Sequence, residues 1–463
     1  MERELPEQFV GMLREAVGAD IAAALAAALG GGEPSLSVRV NTAKGACVPS
    51  GARPVAWEPS GFHLDRRPLF AADPAWHQGA YYVQDASSMA TGTMARILAE
   101  KYFGPDTTLA YLDACAAPGG KTIGAIDALG DRAFVVANEA DRRRAAILAE
   151  NVAKRGAPGT AVLCGPAQRL GALTDAFDII AADAPCSGEG MMRKEAEAVA
   201  QWTPGLVDSC ARLQKEIVEA LWPALKPGGF FIYSTCTFNR HEDEEVVRHM
   251  ADTLGADIVD IDPTLFPGAL KGECGLRFLP GRVEGEGLFM AVLRKNADTE
   301  PHTSRRTAAL PAPEAGMQAF ARRCVTCPDE YMVTGNCLIP RRHADIAARV
   351  ATAKGLMRLG LPLGSVKGRD IVPSHELAMS TVLSPDAFST LELPYPAAMS
   401  YLRGEALTDL PDALPRGFVL PTWHGVPLGF AKNIGRRANN LYPDGLRLRL
   451  QPSQLPDNPP TVI

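Results

Sequence analysis

Apolar positions recur every four residues from Leu5 through Phe9, Leu13, Val17, Ile21 and Leu25 to Leu29. That spacing lines one face of a helix and predicts a single helix over 5–29. Gly30-Gly31-Gly32 should stop it, since glycine accepts the left-handed cap conformation. Residues 36–42 alternate apolar and polar, as a half-buried strand does. Scattered Pro and Gly follow to Pro74, and residues 81–85 lead into a predicted helix over 86–101. From Thr108 the chain alternates strands and helices. Strands are expected at 109–112, 133–137, 177–182, 230–235 and 288–293, and helices at 122–129, 141–155 and 210–225. Such alternation predicts an α/β domain with a mostly parallel, doubly wound sheet covered on both faces. Residues 296–315 are polar and proline-bearing and read as a linker. Beyond it, helices are expected over 317–323 and 344–357, with a hairpin around His424-Gly425 inside 418–433.

A chain of 463 residues accommodates two to four domains. The net charge of −6 does not by itself suggest a nucleic-acid partner. Its distribution is more informative: residues 301–463 carry 18 Lys+Arg against 13 Asp+Glu, or +5, leaving −11 for residues 1–300. A basic tail on an acidic body can contact a polyanion. The ten cysteines are scattered, and Met-Glu-Arg-Glu is not the basic start of a secretory signal, so no disulfide framework is expected. The alanine-rich run 21–29 is too short to span a bilayer. A soluble, cytoplasmic monomer without membrane contact is expected.

Candidate chemistry collects where strands end. The apolar run 177–182 empties into Asp183-Ala-Pro-Cys186-Ser-Gly, and the strand ending at Thr235 delivers Cys236. In open α/β sheets ligands bind at the carboxyl ends of the strands. One buried cysteine there is commonplace; two thiols at two strand ends suggest chemistry. A thiolate can add to carbon 6 of a cytosine or uracil ring and so make carbon 5 nucleophilic enough to take a methyl group. A second thiol can assist elimination afterwards. The first strand–helix turn, 113–121, contains Gly119 and Gly120 for close backbone approach to a ligand, and Glu139 ends the next strand, where an acid accepts hydrogen bonds from ribose hydroxyls. Neither the three-glycine dinucleotide fingerprint nor the phosphate-cradling Lys-Ser/Thr loop is present. A nucleoside cofactor without an essential phosphate fits, S-adenosyl-L-methionine above all.

Three stretches, Cys115-Ala-Ala-Pro-Gly-Gly-Lys-Thr, Asp183-Ala-Pro-Cys-Ser-Gly-Glu-Gly and Ser234-Thr-Cys-Thr, together resemble the Nol/Nop/Sun family of RNA cytosine-5 methyltransferases. Arg39-Val-Asn-Thr and Tyr82-Val-Gln-Asp-Ala-Ser-Ser-Met are similar to that family's N-terminal RNA-binding module, and Gly285-Glu-Gly-Leu-Phe to its closing strand. Pro373-Ser-His-Glu-Leu-Ala, Tyr401-Leu-Arg-Gly-Glu and residues 417–442 resemble the C-terminal extension and PUA-like domain of the bacterial branch that modifies small-subunit ribosomal RNA. The resemblance implies an RNA-binding α+β module (1–104), a Rossmann-like methyltransferase domain (105–295), a linker (296–315), an extension (316–402) and a PUA-like domain (403–463).

The resemblance also implies roles. Cys236 becomes the nucleophile, Cys186 the thiol needed for release, Asp183 the holder of the cytosine edge, and Lys121 a base or cofactor neighbour. Asp113, Cys115, Ala116, Ala117, Pro118, Gly119, Gly120, Lys121, Glu139, Arg144 and Asp183 would hold S-adenosyl-L-methionine. Arg39, Asn41, Arg193, Lys194, Lys432, Arg436 and Arg437 would contact RNA, with Trp423, Phe430 and Tyr442 available to stack bases. Small-subunit RNA, free or in the 30S subunit, is the expected partner, with transfer RNA the alternative substrate. A non-catalytic assembly factor is the rival from another class. Cys164-Gly165-Pro166 departs from the family, which often has an acidic or amide residue near the adenine there. Cys324-Val-Thr-Cys327 with Cys337 and His343 makes a weak zinc pattern, and no metal is expected.

Overall fold

The computed structural model of the protein describes residues 4–302, 307–368, 370–460 and 462. Residues 303–306, inside the expected linker, lie outside the described residues.

The N-terminal apolar stripe forms two helices, Glu7–Val17 and Ala19–Gly31. Gly18 between them takes φ 81°, which a continuous helix cannot accommodate. Phe9, Leu13, Leu25 and Leu29 are still buried, against Trp202, Phe238 and Leu279 of the following domain. A four-stranded antiparallel sheet follows, comprising β1 (Ser37–Val40), β2 (Arg53–Val55), β3 (Glu58–His63) and β4 (Tyr81–Val83) in the order β2-β3-β1-β4. The expectation of a half-buried β1 is corrected: all four of its residues are buried, because Ser37 and Arg39 face inward onto protein partners.

The central sheet contains β5 (Leu109–Asp113), β6 (Ala133–Glu139), β7 (Thr160–Cys164), β8 (Phe177–Asp183) and β9 (Leu225–Thr235). These five are parallel in the order β9-β8-β5-β6-β7, so the winding reverses between β5 and β8. The crevice at such a reversal is where open α/β sheets bind ligands. Phe177, Ile179 and Ile180 are wholly buried, as expected of a strand covered on both faces. The helix expected over 210–225 runs instead over Pro204–Leu221, with Pro204 at its first position and the Thr203 hydroxyl accepting from Leu206 N. Past β9 come β10 (Ala256–Val259), β11 (Leu270–Lys271), β12 (Leu276–Phe278) and β13 (Leu288–Lys295), with β13 antiparallel to β9.

The other edge holds a correction. The helix expected over 344–357 ends at Val350, and Leu356–Leu359 is a strand paired antiparallel with β7. Gly355 turns the chain with φ 87°, and its carbonyl accepts from Cys164 N at 2.8 Å. An uncovered β7 would present unpaired backbone groups, and this strand satisfies them. The sheet therefore extends past residue 295 into the C-terminal extension.

The expected hairpin forms between Gly417–Trp423 and Val426–Pro427, with His424 and Gly425 both at positive φ. Its sheet starts earlier than 403, since Ser389–Glu392 pairs parallel with Gly417–Trp423. Leu420 and Phe430 share a core with Met317 and Phe320 of the extension. The tail also docks on the N-terminal module: Gln78 Nε2 donates to the carbonyls of Trp423 (2.9 Å) and Val426 (2.6 Å), and Tyr395 Oη to that of Ala72 (3.0 Å). Among the described residues, no helix is long and apolar enough to cross a membrane.

Candidate active site

β8 and β9 are in register, Asp183 opposite Ser234, so both strands finish at one level. Ala184 N donates to Ser234 O at 2.9 Å, carrying that pairing one residue further. Each chain then turns, and Cys186 and Cys236 meet with their Sγ atoms 3.1 Å apart. The hydrogen bond to Cys236 and burial push the Cys186 thiol well above its ordinary range. Beside them, Asp183 is held from two sides, by Lys121 Nζ at 2.8 Å and Ser234 Oγ at 3.0 Å. Burial opposes the charge on Lys121, but the contact with Asp183 outweighs it and raises the ammonium's pKa. Lys121, expected as a base or cofactor neighbour, is thus the ion-pair partner of Asp183.

The cofactor side lies at the ends of β5 and β6. Gly119, at φ 118°, begins the helix Gly120–Leu129, and the Ala117–Pro118 peptide before it is cis. Asp113 Oδ2 accepts from Thr122 Oγ1 at 2.6 Å, while Oδ1 is buried without a hydrogen-bond partner. Burial, with Asp183 nearby, pushes the Asp113 carboxyl up to about 6. Glu139, also buried, accepts from Asp141 N at 2.9 Å and lies 3.5 Å from Arg144 Nη2. Arg144 in turn donates to the Ala117 carbonyl at 2.8 Å, tying the glycine turn to Glu139. At the departure from the family pattern, Gly165 is a backbone partner: its N–H donates to Glu139 O and its carbonyl accepts from Asn138 Nδ2, both at 3.0 Å. An orphaned buried carboxylate oxygen, a glycine turn at a helix start and a second acid one strand over suit a ligand with a cationic amino-acid end and ribose hydroxyls.

Sequence reasoning passed over Ser234, Glu189 and Glu242. Glu189 and Glu242 are wholly buried beside the two thiol loops, and burial raises both pKa values, that of Glu189 to about 7. The signal for Glu189 was its place within three residues of Cys186; that for Glu242 was only its proximity to Asn239, which identifies nothing without the fold.

The expected RNA contacts divide. Arg39 and Asn41 are each 1% exposed and are corrected to internal braces. Arg39 donates to Gln84 Oε1 (2.9 Å), Ser60 Oγ and Glu58 Oε2 (both 3.1 Å), and Asn41 Nδ2 donates to the Gly79 carbonyl at 2.9 Å. Arg193 is bound in a fork to Glu286, at 2.9 and 2.6 Å, while Lys194 is exposed. Lys432 lies over the Phe418 ring, and Arg436 and Arg437 are exposed on the tail. Phe430 and Tyr442 are corrected from base-stacking surfaces to core residues, at 1% and 2% exposure. His343 of the cysteine cluster faces the Asp131 carbonyl at 2.9 Å, and no three His, Cys, Asp or Glu side chains converge on a metal site among the described residues.

Three family models match the chain in order. They are the N-terminal domain of 16S rRNA methyltransferase RsmF over residues 5–86, 16S rRNA methyltransferase RsmB/F over 102–294, and the methyltransferase RsmF PUA domain over 388–448. The chain is 31% identical over 481 residues to ribosomal RNA small subunit methyltransferase F of Cronobacter sakazakii, covering 95% of each. The chain belongs to the ribosomal RNA small subunit methyltransferase F family. Another member, from Shewanella loihica, is 30% identical, with 85% of this chain and 83% of that one covered. Methyltransferase F proteins depend on S-adenosyl-L-methionine, and this chain is an RNA methyltransferase of that group. The fold is shared with NSun6 from Pyrococcus horikoshii, solved with SFG, at a TM-score of 0.52 and 20% identity over 63% of this chain and 98% of that one. A methyltransferase homolog protein from the same organism has a TM-score of 0.51 and 24% identity, covering 63% and 95%. The PUA match begins at 388, in agreement with the sheet that starts at Ser389.

Proposed function

We propose that this protein transfers a methyl group from S-adenosyl-L-methionine to carbon 5 of a cytidine in small-subunit ribosomal RNA, through a covalent adduct on Cys236. The observation that carries this reading is the pair of sulfurs 3.1 Å apart at the ends of β8 and β9, beside an Asp183 held by Lys121. A protein that only binds RNA has no use for that arrangement. The bound cofactor supplies an electrophilic methyl group; Asp113, Glu139, Arg144 and the 115–121 turn are the residues that would hold it.

The chain's own residues supply the rest. The target base leaves its stack to reach the sulfurs. Asp183 accepts a hydrogen bond from the exocyclic amino group of cytosine; uracil presents a carbonyl oxygen there, which a carboxylate repels. The Cys236 sulfur bonds to carbon 6, and the displaced π electrons make carbon 5 the nucleophile that takes the methyl group. The Cys186 sulfur, as thiolate, takes the carbon-5 proton, the C–H electron pair re-forms the carbon 5–carbon 6 double bond, and the electron pair of the sulfur–carbon bond returns to Cys236. Cys186 adjoins the site of that release. The resemblance of Ser234-Thr-Cys-Thr to the family's motif favours Cys236 as the attacking sulfur over the reverse assignment.

Bisulfite sequencing of RNA from cells with and without the protein tests the reading. A ribosomal cytidine should lose its protection in the deletion strain. Loss confined to transfer RNA would move the substrate, and no lost site would remove the activity.

A further inference from the structure

The loops bearing the two thiols are tied to one another by buried carboxylates that the bond-making steps do not use. Glu189, three residues after Cys186, accepts from Phe238 N (2.6 Å) and Asn239 Nδ2 (2.9 Å), both in the loop after Cys236, and from Trp202 Nε1 (3.1 Å). Glu242 reaches the opposite way. It accepts from Ser187 N at 2.9 Å and from the Ser187 hydroxyl, next to Cys186, and from Gln214 Nε2 at 2.9 Å. Asn239 Nδ2 donates to Glu242 as well, at 2.9 Å, so one amide bridges both carboxylates. Burying two acids is expensive, and an apolar contact would hold two loops together at lower cost. What hydrogen bonds of fixed direction add is placement.

The two sulfurs are not equally dependent on this clasp. Cys236 is anchored independently: Thr235 and Thr237 on either side donate their hydroxyls to Asp243 at 2.6 and 3.1 Å, and Asp243 pairs with Arg277 at 2.7 Å. Its carbonyl also accepts from Gly190 N at 2.7 Å. Both flanks of Cys186 are held through Glu242: Ser187 donates to it through both donors, and Gln214 Nε2, which donates to it, also donates to the Pro185 carbonyl at 2.9 Å.

We propose that Glu242 is a positioning residue for the release step, fixing through Ser187 where the Cys186 sulfur stands relative to Cys236. This rests on the two-thiol reading above. Release requires Cys186 to sit beside carbon 5 of an adduct already bonded to Cys236, and a displacement of about 1 Å can cost roughly 100-fold in rate. Attack by Cys236 does not require it. Loss of Glu242 therefore traps adduct instead of preventing it.

The test uses the full chain with S-adenosyl-L-methionine and in vitro transcribed small-subunit ribosomal RNA, following adduct formation and decay on denaturing gels. Glu242→Gln keeps the size but turns an N–H against donors that the carboxylate now accepts. It should form adduct within about threefold of the wild-type rate and release it about 10- to 100-fold more slowly. Ser187→Ala, which removes one of the two gripped donors, should slow release to a smaller extent, and carries the test if Glu242→Gln does not fold. Wild-type release in the folded variant, or an equal loss of attack and release, overturns the proposal. Cys186→Ala separates the two levels. If it traps adduct while Glu242→Gln releases normally, the clasp fails alone; if it does not trap, the two-thiol reading fails and takes the clasp with it.

Discussion

Cys186 and Cys236, fifty positions apart in sequence (236 − 186), stand sulfur to sulfur at 3.1 Å because Asp183 and Ser234 are register partners in adjacent parallel strands. Shifting one strand by a residue would turn its loop away from the other. The register of β8 against β9 is thus the geometric condition for chemistry that needs both sulfurs at one base.

The two thiols should fail differently when removed. Cys236→Ala should be inactive and form no covalent complex with RNA. Cys186→Ala should transfer methyl once and then accumulate as a denaturant-resistant protein–RNA species. A denaturing gel of both variants with substrate and cofactor reads the result, and adduct in Cys236→Ala with none in Cys186→Ala would reverse the roles.

Glu139 contributes a buried acceptor to the cofactor side. Losing a hydrogen bond to a charged group costs about 1.5–3 kcal/mol, or roughly 10- to 150-fold in affinity. Calorimetry should show S-adenosylhomocysteine binding weakened by that order in Glu139→Ala. Unchanged affinity would remove Glu139 from the site.

Glu189 should make stability pH-dependent. Its pKa is raised from 4.5 to about 7 in the folded protein, chiefly by burial, so the folded state binds the extra proton between those values. Its stabilising contribution is complete below the unfolded pKa and is lost as pH rises through 7, by at most about 3 kcal/mol. Denaturant melts of wild type and Glu189→Gln at pH 5, 6, 7 and 8 should show wild type losing ground steadily to the variant. Parallel curves would mean that Glu189 titrates normally.

Arg39 is predicted to matter for folding and not for RNA. Arg39→Met leaves the buried Glu58 carboxylate without its guanidinium and also removes the charge 3.6 Å from Asp127. Breaking such a buried pair costs about 3–5 kcal/mol. Urea unfolding should show that loss, while RNA affinity per folded molecule stays at the wild-type value.

The tail makes the opposite prediction. Arg436 and Arg437 are exposed and Lys432 is half-exposed, so replacing all three with Glu should leave the melting temperature within a few degrees. RNA affinity should fall, and the slope of log affinity against log salt should flatten by roughly 0.7–0.9 for each phosphate no longer neutralised. Point substitution is the sounder test here, because Leu420 and Phe430 are core residues shared with the extension, and excising 403–463 would open that core.

By itself the sequence determined the elements whose pattern is local. Four of the five parallel strands (all but β7), the glycine turn after Asp113 and the two thiols at strand ends were readable, because apolar periodicity and turn chemistry act over a few residues. The helix expected over 5–29 failed at Gly18, where a backbone preference overrode an unbroken apolar stripe. Only the tertiary structure decided relationships that depend on what lies opposite. Arg39 and Asn41 have the composition of an RNA-contacting strand, yet acids and carbonyls from distant segments close over them. Residues 356–359 became a strand because β7 had an edge to satisfy, which no property of those four residues announces. The partner of Lys121 was likewise set by the fold: Asp183, sixty-two positions later (183 − 121), lies 2.8 Å away. The clasp of Glu189, Asn239 and Glu242 was invisible for the same reason: a buried carboxylate acquires its meaning from its donors, and these arrive from loops that meet only when β8 and β9 pair.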